Sequence, residues 1–578
     1  MAVIAAEALI GRLADWGVDT VFGLPGDGIN GLMEGLRRHE KRVRFVLVHH
    51  EEAAALMACA HAKATGRIGV CLATSGPGGI HLANGLYDAK LDHAPVLAIT
   101  GMQETSLLGT SYQQEVHLDR LLADVAEYNL VITNPAQLPF VVDNAIRAAY
   151  ARQGVAHLSI PNDVQTADAP TVSGPAPVFV PASGIPSPDE LGRAADVLNA
   201  GRRVTILVGV GARGAGPLVE RAAVALDAPI IKSLLGKMVV ADDSPLTTGG
   251  LGLLGTGPSE DLIADTDTLL LLGTNFPYVE YLPKPGAARV VHIELDPMRA
   301  GARLPTDVPV AGDVGRTLVE LLPLLNRRES TARLDAYREK MDQWRSTMDA
   351  LEEPSRDPIA PQYVASVISR IADDDAVLCT DSGTVVSWAA RHFTIRGTRE
   401  FHHSGSLATM GCGLPYANAI ALAQPDRQVI AYVGDGAFAM VMAEFHTAAR
   451  YGLPVKVVVN NNNSLGMILW EQMALGYPEH GVRFGDPRPD FSAWARSCGG
   501  FGAKVEKASE VEAALREAMA FDGPALVDID VDPNEPPMPG KVTYEQAKNF
   551  AAAFLKGQPH RAAIATTLFK DKIQQLGA

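Results

Sequence analysis

The sequence predicts an α/β protein: three doubly wound parallel-sheet domains followed by a C-terminal tail. Three observations carry that expectation. The chain has 578 residues, too many for one hydrophobic core and enough for three or four at about 150 residues each. Short apolar runs, rich in β-branched residues and closed by glycine, alternate with helical patterns along most of the sequence, as buried parallel strands joined by helices do. Two stretches break that alternation. Residues 166–188 (TADAPTVSGPAPVFVPASGIPSP) are proline-rich without periodicity, and residues 326–361 form a charged helix that ends in a proline-bearing loop. Cutting there gives units of 1–170, 186–340 and 357–530, with 531–578 as the tail.

The expected strands follow in order. The first unit offers 43–48, 68–73 and 96–100; the second offers 204–208, 268–272 and 290–295; the third offers 429–433, 455–459 and 525–529. The opening MAVIAAEALIGRLADWGV has no basic leader and reads as an amphipathic helix, and no apolar run approaches the roughly 20 residues of a membrane span. Five cysteines lie far apart with no CxxC, which argues against a zinc site or disulfide scaffold and suits a reducing compartment. Fifty basic against 66 acidic residues leave a net charge of −16, so broad electrostatic binding of nucleic acid is not expected. The expected location is cytoplasmic.

Residues 429–436 read VIAYVGDG, a strand ending in Gly-Asp-Gly, and a helical stretch follows. The next strand runs into four asparagines, 460–463. The interval from Asp435 to Asn462, 27 residues, is one strand–helix–strand crossover, which puts both strand ends on one edge of a parallel sheet. Glycine lets the backbone approach a diphosphate and a helix start favours negative charge. Asp435 and an asparagine supply hard oxygen ligands for Mg²⁺. Alone, Gly-Asp-Gly is also an ordinary tight turn; the spacing and the asparagines favour the ligand reading.

On these residues the chain resembles the thiamine diphosphate-dependent enzymes, whose cofactor motif is Gly-Asp-Gly followed after a crossover by asparagine. The resemblance implies Asp435, Asn462 and the Ser464 carbonyl as Mg²⁺ ligands, with the four-asparagine run leaving the register open by one residue. Gly383, Leu407, Gly434, Gly436, Ala437, Phe438, Leu465, Gly466 and Met467 would complete the cofactor wall. It also implies a desolvated carboxylate against N1′ of the aminopyrimidine, sharing a proton so that the 4′-imino group can remove the C2 proton. His49-His50-Glu51-Glu52 after the strand at 43–48 places Glu51 there, although such a string is also a common solvated helix start. Ser75-Gly76-Pro77 would pack the aminopyrimidine and Met410 would bend the cofactor from below, where a lone methionine is otherwise core filler.

After 204–208 comes Gly209-Val210-Gly211-Ala212-Arg213-Gly214, a weak dinucleotide string because no acidic residue follows at the usual distance. The surrounding segments resemble the flavin-bearing branch: pyruvate oxidases, quinone-dependent pyruvate dehydrogenases and acetolactate synthases. That likeness implies FAD contacts from Gly211, Arg213, Gly273, Thr274, Asn275, Glu294, Gly312 and Asp313. It further implies decarboxylation of a 2-oxo acid such as pyruvate, with Gln114 orienting substrate, Glu471 as an acidic active-site residue, and a homodimer or homotetramer. Carboligation, as in acetolactate synthases with structural or absent FAD, is the alternative within the family; a non-catalytic nucleotide-binding protein is the alternative outside it. Tyr112-Gln113-Gln114-Glu115 departs from the relatives' Phe-Gln-Glu by a glutamine in place of phenylalanine. The tail resembles that of the quinone-dependent dehydrogenases, with Ile564, Leu568 and 573–576 on one face, suited to a docking helix or to peripheral contact at the inner membrane face.

Overall fold

A computed structural model describes residues 3–170, 177–180, 184–541 and 543–577. Parts of the expected linker at 166–188, and the side chains of 573–576 in the tail stripe, lie outside the described residues. Three six-stranded sheets, each wholly parallel, form in chain order. Each strand predicted from its apolar run is present within a residue or two of its expected ends.

Numbering strands within each sheet, the first and last sheets share the order 2-1-3-4-6-5, while the central sheet runs 3-2-1-4-5-6. The first begins with Thr20–Gly23, Arg44–Leu47, Gly69–Ala73 and Val96–Met102, and the last with Val377–Thr380, Glu400–His402, Val429–Gly434 and Lys456–Asn461. In such sheets the chain departs in opposite directions from two neighbouring strands, opening a crevice beyond their carboxyl ends. That crevice lies between strands 1 and 3 in the outer sheets and between strands 1 and 4 (Val204–Val208 and Thr268–Leu272) in the central one. A two-stranded antiparallel ribbon, Val3–Ile4 with Asp168–Ala169, ties the two ends of the first unit together.

The first and last units share a core. Helix Glu51–Thr65 packs along helix Gly413–Ala423, and alanines on both allow close approach within one apolar cluster. Polar groups fix the pairing. Lys63 Nζ meets Asp92 at 2.7 Å, donates to the Tyr416 hydroxyl at 2.5 Å and to the His403 carbonyl at 3.1 Å, and lies 3.6 Å from Asp88. Burial pushes the Asp92 carboxyl up, but the Lys63 charge and its hydrogen bond more than reverse this and hold it at about 2. The tail folds back as helices Tyr544–Leu555 and Arg561–Gly577. Phe550 stacks on Trp470, and Ile564 and Leu568 join Leu469 and Met473 in a small core. Arg356 clamps the second tail helix through Asp571 at 2.8 Å. Among the described residues no helix is long and apolar enough to cross a membrane.

Removing Lys63 leaves Asp88 and Asp92 buried without their counter-charge. Lys63→Met is expected to cost about 3–5 kcal/mol, read as a lower urea midpoint for the transition that separates the two units.

Candidate active site

Strand Arg44–Leu47 ends four residues before the helix Glu51–Thr65, so Glu51 is the first helical residue and His50 its N-cap, with Nδ1 accepting from the Glu52 amide at 3.2 Å. Glu51 is only 6% exposed. One carboxylate oxygen meets His81 Nδ1 at 2.9 Å. The other faces Gly78, where a Cβ would stand 3.3 Å from it and 2.9 Å from Thr74 Cγ2, so a side chain there would crowd this corner. Glu52 points elsewhere: Asn84 donates to it at 2.5 Å and to Thr409 Oγ1 at 2.9 Å.

The loop after strand Gly69–Ala73 lies beside this acid. Ser75 is buried, Gly76 has φ +62°, and Pro77 begins the short helix Pro77–His81. A Cβ on Gly76 would stand 2.8 Å from the Gln114 carbonyl, so the two segments touch. Gln114 has φ +60°, and its Oε1 is buried without a hydrogen-bond partner among the described residues. An unpaired buried acceptor costs about 1–3 kcal/mol, and a bound group carrying a donor would relieve it. Sequence reasoning missed the residue that holds this loop. Gln103, itself buried, donates Nε2 to the Gln113 carbonyl at 2.6 Å and more weakly to Ser75 Oγ at 3.4 Å. Its only sequence signal was a polar residue directly after an apolar strand.

At the edge of the last sheet, Asp435 is the first residue of helix Asp435–Val441 and is 5% exposed. Among the described residues no lysine or arginine pairs with it. Burial drives its carboxyl up to about 7, against opposing hydrogen bonds from backbone amides including those of Gly436 and Asn463. Gly434, at the strand end, has open space where a Cβ would point, with only Val385 at 4.0 Å. Gly383, across the crevice, has φ +118° with nothing within 4 Å of a Cβ, a conformation and an opening that suit glycine alone. Asn462 Oδ1 accepts from the Ser464 amide at 3.1 Å, and its Nδ2 lies 2.6 Å from where a Gly466 Cβ would stand, so a larger residue at 466 would displace the Asn462 amide. Ser464 Oγ is buried without a partner among the described residues. A buried carboxylate lacking a counter-ion, an amide oxygen two residues before an unpaired hydroxyl, and two open glycines fit a divalent cation carrying a diphosphate.

Other expected cofactor residues differ in what they offer. Met410 and Leu407 are half-buried beside the crevice, in a loop whose Gly411 and Gly413 amides donate to Asp381 at 2.9 Å each. Asp381, another residue the sequence reading missed, is raised by burial to about 6 against those amides. The side chains of Ala437 and Phe438 are core, Phe438 meeting Phe491 edge-on at 5.1 Å, so only their backbone can face a ligand. Leu465 and Met467 are half-buried. Glu471 is exposed on helix Gly466–Ala474. Asp435 and Glu51 share no hydrogen bond, and their edges lie on separate sheets.

In the central unit Gly211 and Gly273 pack backbone to backbone at the crevice, the Gly211 amide donating to the Gly273 carbonyl at 3.0 Å. Arg213 is engaged elsewhere, donating to the Lys63 carbonyl at 2.7 Å and to Glu400 at 3.1 Å. Asp313 caps helix Val314–Leu321, accepting from the Arg316 amide at 2.9 Å, and a Cβ on Gly312 would meet Thr317 at 2.8 Å. Asn275 Nδ2 donates to the Arg299 carbonyl at 3.3 Å. Thr274 is buried at the crevice, and the Glu294 carboxyl, pushed up by burial, accepts from the Leu295 amide at 2.9 Å. Thr274 and Glu294 are thus buried or half-buried polar side chains at this edge, while Arg213 and Asp313 are engaged in the hydrogen bonds described. A cavity of about 390 Å³ opens beside the ends of strands Ile230–Lys232 and Thr247–Gly250, bordered by Ser233, Leu234 and Leu251.

Two outcomes follow. The folded chain holds a proton on Asp435 up to about 7, so it binds more protons than the unfolded chain above the ordinary carboxyl range. Without metal, stability falls as pH rises from about 4 to about 7, by up to about 4 kcal/mol. Asp435→Asn removes that slope from a series of urea midpoints, and Mg²⁺ added to wild type at pH 6 releases protons. Gln103→Leu frees the Gln113 carbonyl, so hydrogen exchange at 112–115 quickens while global stability falls by no more than about 1–2 kcal/mol.

The sequence matches, in order, the thiamine pyrophosphate enzyme N-terminal TPP binding domain over residues 4–122, the central domain over 191–321, and the C-terminal TPP binding domain over 381–529. A Bacillus subtilis protein described as thiamine pyrophosphate-containing, YdaP, is 41% identical over 96% of both chains. The pyruvate oxidase of Lactiplantibacillus plantarum is 35% identical over 95% of this chain and 92% of its own. The acetolactate synthase large subunit of Parasynechococcus marenigrum is 32% identical over 92% and 88%. The chain belongs to the thiamine pyrophosphate enzyme family.

Proposed function

We propose that the protein is a thiamine diphosphate- and Mg²⁺-dependent enzyme that decarboxylates a 2-oxo acid, pyruvate in the first instance, and passes the two electrons released to FAD. The observation that carries this reading is the pair of buried carboxylates, Glu51 and Asp435, each at a helix start on the carboxyl edge of its sheet. Similarity to a pyruvate oxidase over nearly the whole chain supports the oxidative branch.

Thiamine diphosphate, when bound, supplies an electron sink for the bonding pair left as a 2-oxo acid loses CO₂. The chain's residues do the rest. Asp435 and Asn462 would hold Mg²⁺ with the Ser464 carbonyl, and the openings at Gly383 and Gly434 would admit the diphosphate, with the Gly436 backbone beside it. Glu51, shielded from water, holds a proton at the aminopyrimidine, and the Ser75–Pro77 loop packs that ring. Gln114 turns its unpaired Oε1 towards the reacting centre and orients substrate. FAD is placed along the central crevice, with Thr274 and Glu294 as its side-chain contacts.

Apolar residues are exposed beside each acid: Ile80 and Tyr112 near Glu51, Met440 and Phe484 near Asp435. A second copy covering them would bring one chain's Glu51 to the other's Asp435, so the active form is a homodimer or homotetramer. Exposed Glu471 takes part only if such a copy encloses it. Tyr544, Leu555 and Phe569, exposed on the tail, are the residues available for peripheral contact with an inner membrane face from a cytoplasmic location.

Carboligation is the second reading, supported by the likeness to acetolactate synthases. With pyruvate, the oxidative reading predicts CO₂, acetate or acetyl phosphate, and a flavin spectrum that bleaches; acetolactate formed by a colourless protein overturns it in favour of carboligation. Deuterium exchange at C2 of bound thiamine diphosphate tests the common core. Glu51→Gln slows it by about 100-fold or more, and equal slow exchange in both proteins rejects the assignment of Glu51.

A further inference from the structure

His50, Glu51 and His81 converge. One ligand atom from each lies within 4.8 Å of the others. The two imidazoles stack with centroids 4.5 Å apart, and His81 Nδ1 stands 2.9 Å from a Glu51 oxygen. Two imidazoles and one carboxylate are the donor set of a three-protein-ligand zinc site, with a fourth position open to water. At bond lengths of about 2.0–2.1 Å, tetrahedral ligands lie roughly 3.3 Å apart, so the cluster needs only small side-chain rotations. Each donor has the freedom required. Among the described residues Glu51 is held by no side chain but His81, and His50 uses Nδ1 to cap the helix with no partner at Nε2; both imidazoles reach solvent.

The helix start at Glu51 opposes a cation, since its amides carry partial positive charge. His50 Nδ1 already accepts from the Glu52 amide, and the Glu51 carboxylate, 2.9 Å from His81, supplies negative charge to offset the rest. Glu52, whose nearer oxygen is 3.9 Å from His50 Nδ1, adds a second negative charge on the same side.

We propose that His50, Glu51 and His81 form a binding site for a divalent transition metal such as Zn²⁺, separate from the Mg²⁺ site at Asp435, and that its occupation excludes the thiamine cofactor by taking the carboxylate the cofactor's ring requires. Mg²⁺ does not compete there, because imidazole suits transition metals and oxygen ligands suit magnesium. The exclusion rests on the function proposed above; the metal binding does not.

The test titrates the cofactor-free full-length chain with Zn²⁺ by calorimetry, with Co²⁺ as a spectroscopic probe. One Zn²⁺ per chain is expected, together with the visible bands of tetrahedral Co²⁺. His81→Ala and His50→Asn, the latter keeping a helix-capping side chain, should each weaken binding by about tenfold or more, while circular dichroism confirms folding. Zn²⁺ bound first should then block uptake of thiamine diphosphate with Mg²⁺, and EDTA should restore it. Zn²⁺ binding unchanged in both histidine variants, or no binding at micromolar concentrations, overturns the site. Zn²⁺ bound at the histidines together with undiminished cofactor uptake overturns the exclusion. A chain that takes up no thiamine diphosphate even after EDTA refutes the proposed function and leaves the metal site standing.

Discussion

The contact between helices Glu51–Thr65 and Gly413–Ala423 holds the first and last sheets in one frame, and both crevices depend on it. Alanine-rich faces bring the helices close, but apolar burial alone is non-directional. The direction comes from Lys63, whose ammonium is held among Asp92, Asp88, the Tyr416 hydroxyl and the His403 carbonyl. Asp92 also accepts the amides of Gly405 and Ser406 at 2.8 Å, which ties the loop carrying Met410 to the helix carrying Glu51. A register error along the helix pair would leave charge buried without a partner, a cost larger than a slipped methyl contact.

Within that frame the site places negative charge where water is scarce. Asp435 and Asp381 are both held well above the ordinary carboxyl range by burial, on one edge of one sheet. Backbone amides offset part of the cost at each. For Asp381 they come from the Gly411–Gly413 loop, which makes this carboxylate a brace for the polypeptide under the crevice. Asp435 has amides, including that of Asn463 in the loop after the next strand, but no counter-charge among the described residues, and a cation would supply what it lacks.

The strands were legible because buried parallel strands leave unbroken apolar runs, as at 204–208 and 268–272, which the structure reproduces without shift. The Gly-Asp-Gly turn and the asparagine run were legible because their spacing is that of one crossover. What stayed hidden depends on which polar side chains meet across domains. Nothing in the neighbourhood of Gln103 announces a tether to Gln113, and nothing around Arg213 says that it will reach Lys63 and Glu400 instead of a ligand. Phe438 lies in the expected cofactor segment, yet the 3.6-residue period turns its ring into the core. Periodicity tells which face is buried; it does not tell which distant partner a buried polar group finds.

The strand order common to the first and last sheets makes their positions comparable one for one. The segment after strand 3 is Thr74-Ser75-Gly76 in one and Asp435-Gly436 in the other; the residue after strand 4 is Gln103 in one and Asn462 in the other. Both frames thus set an amide side chain beyond the fourth strand, where its oxygen and nitrogen can fasten a neighbouring loop, as Gln103 does to Gln113 and Asn462 to Ser464. On the function proposed above, one architectural template, used twice, would grip chemically opposite ends of a guest: a neutral heterocycle where the acid follows strand 2, and an anion where the acid follows strand 3.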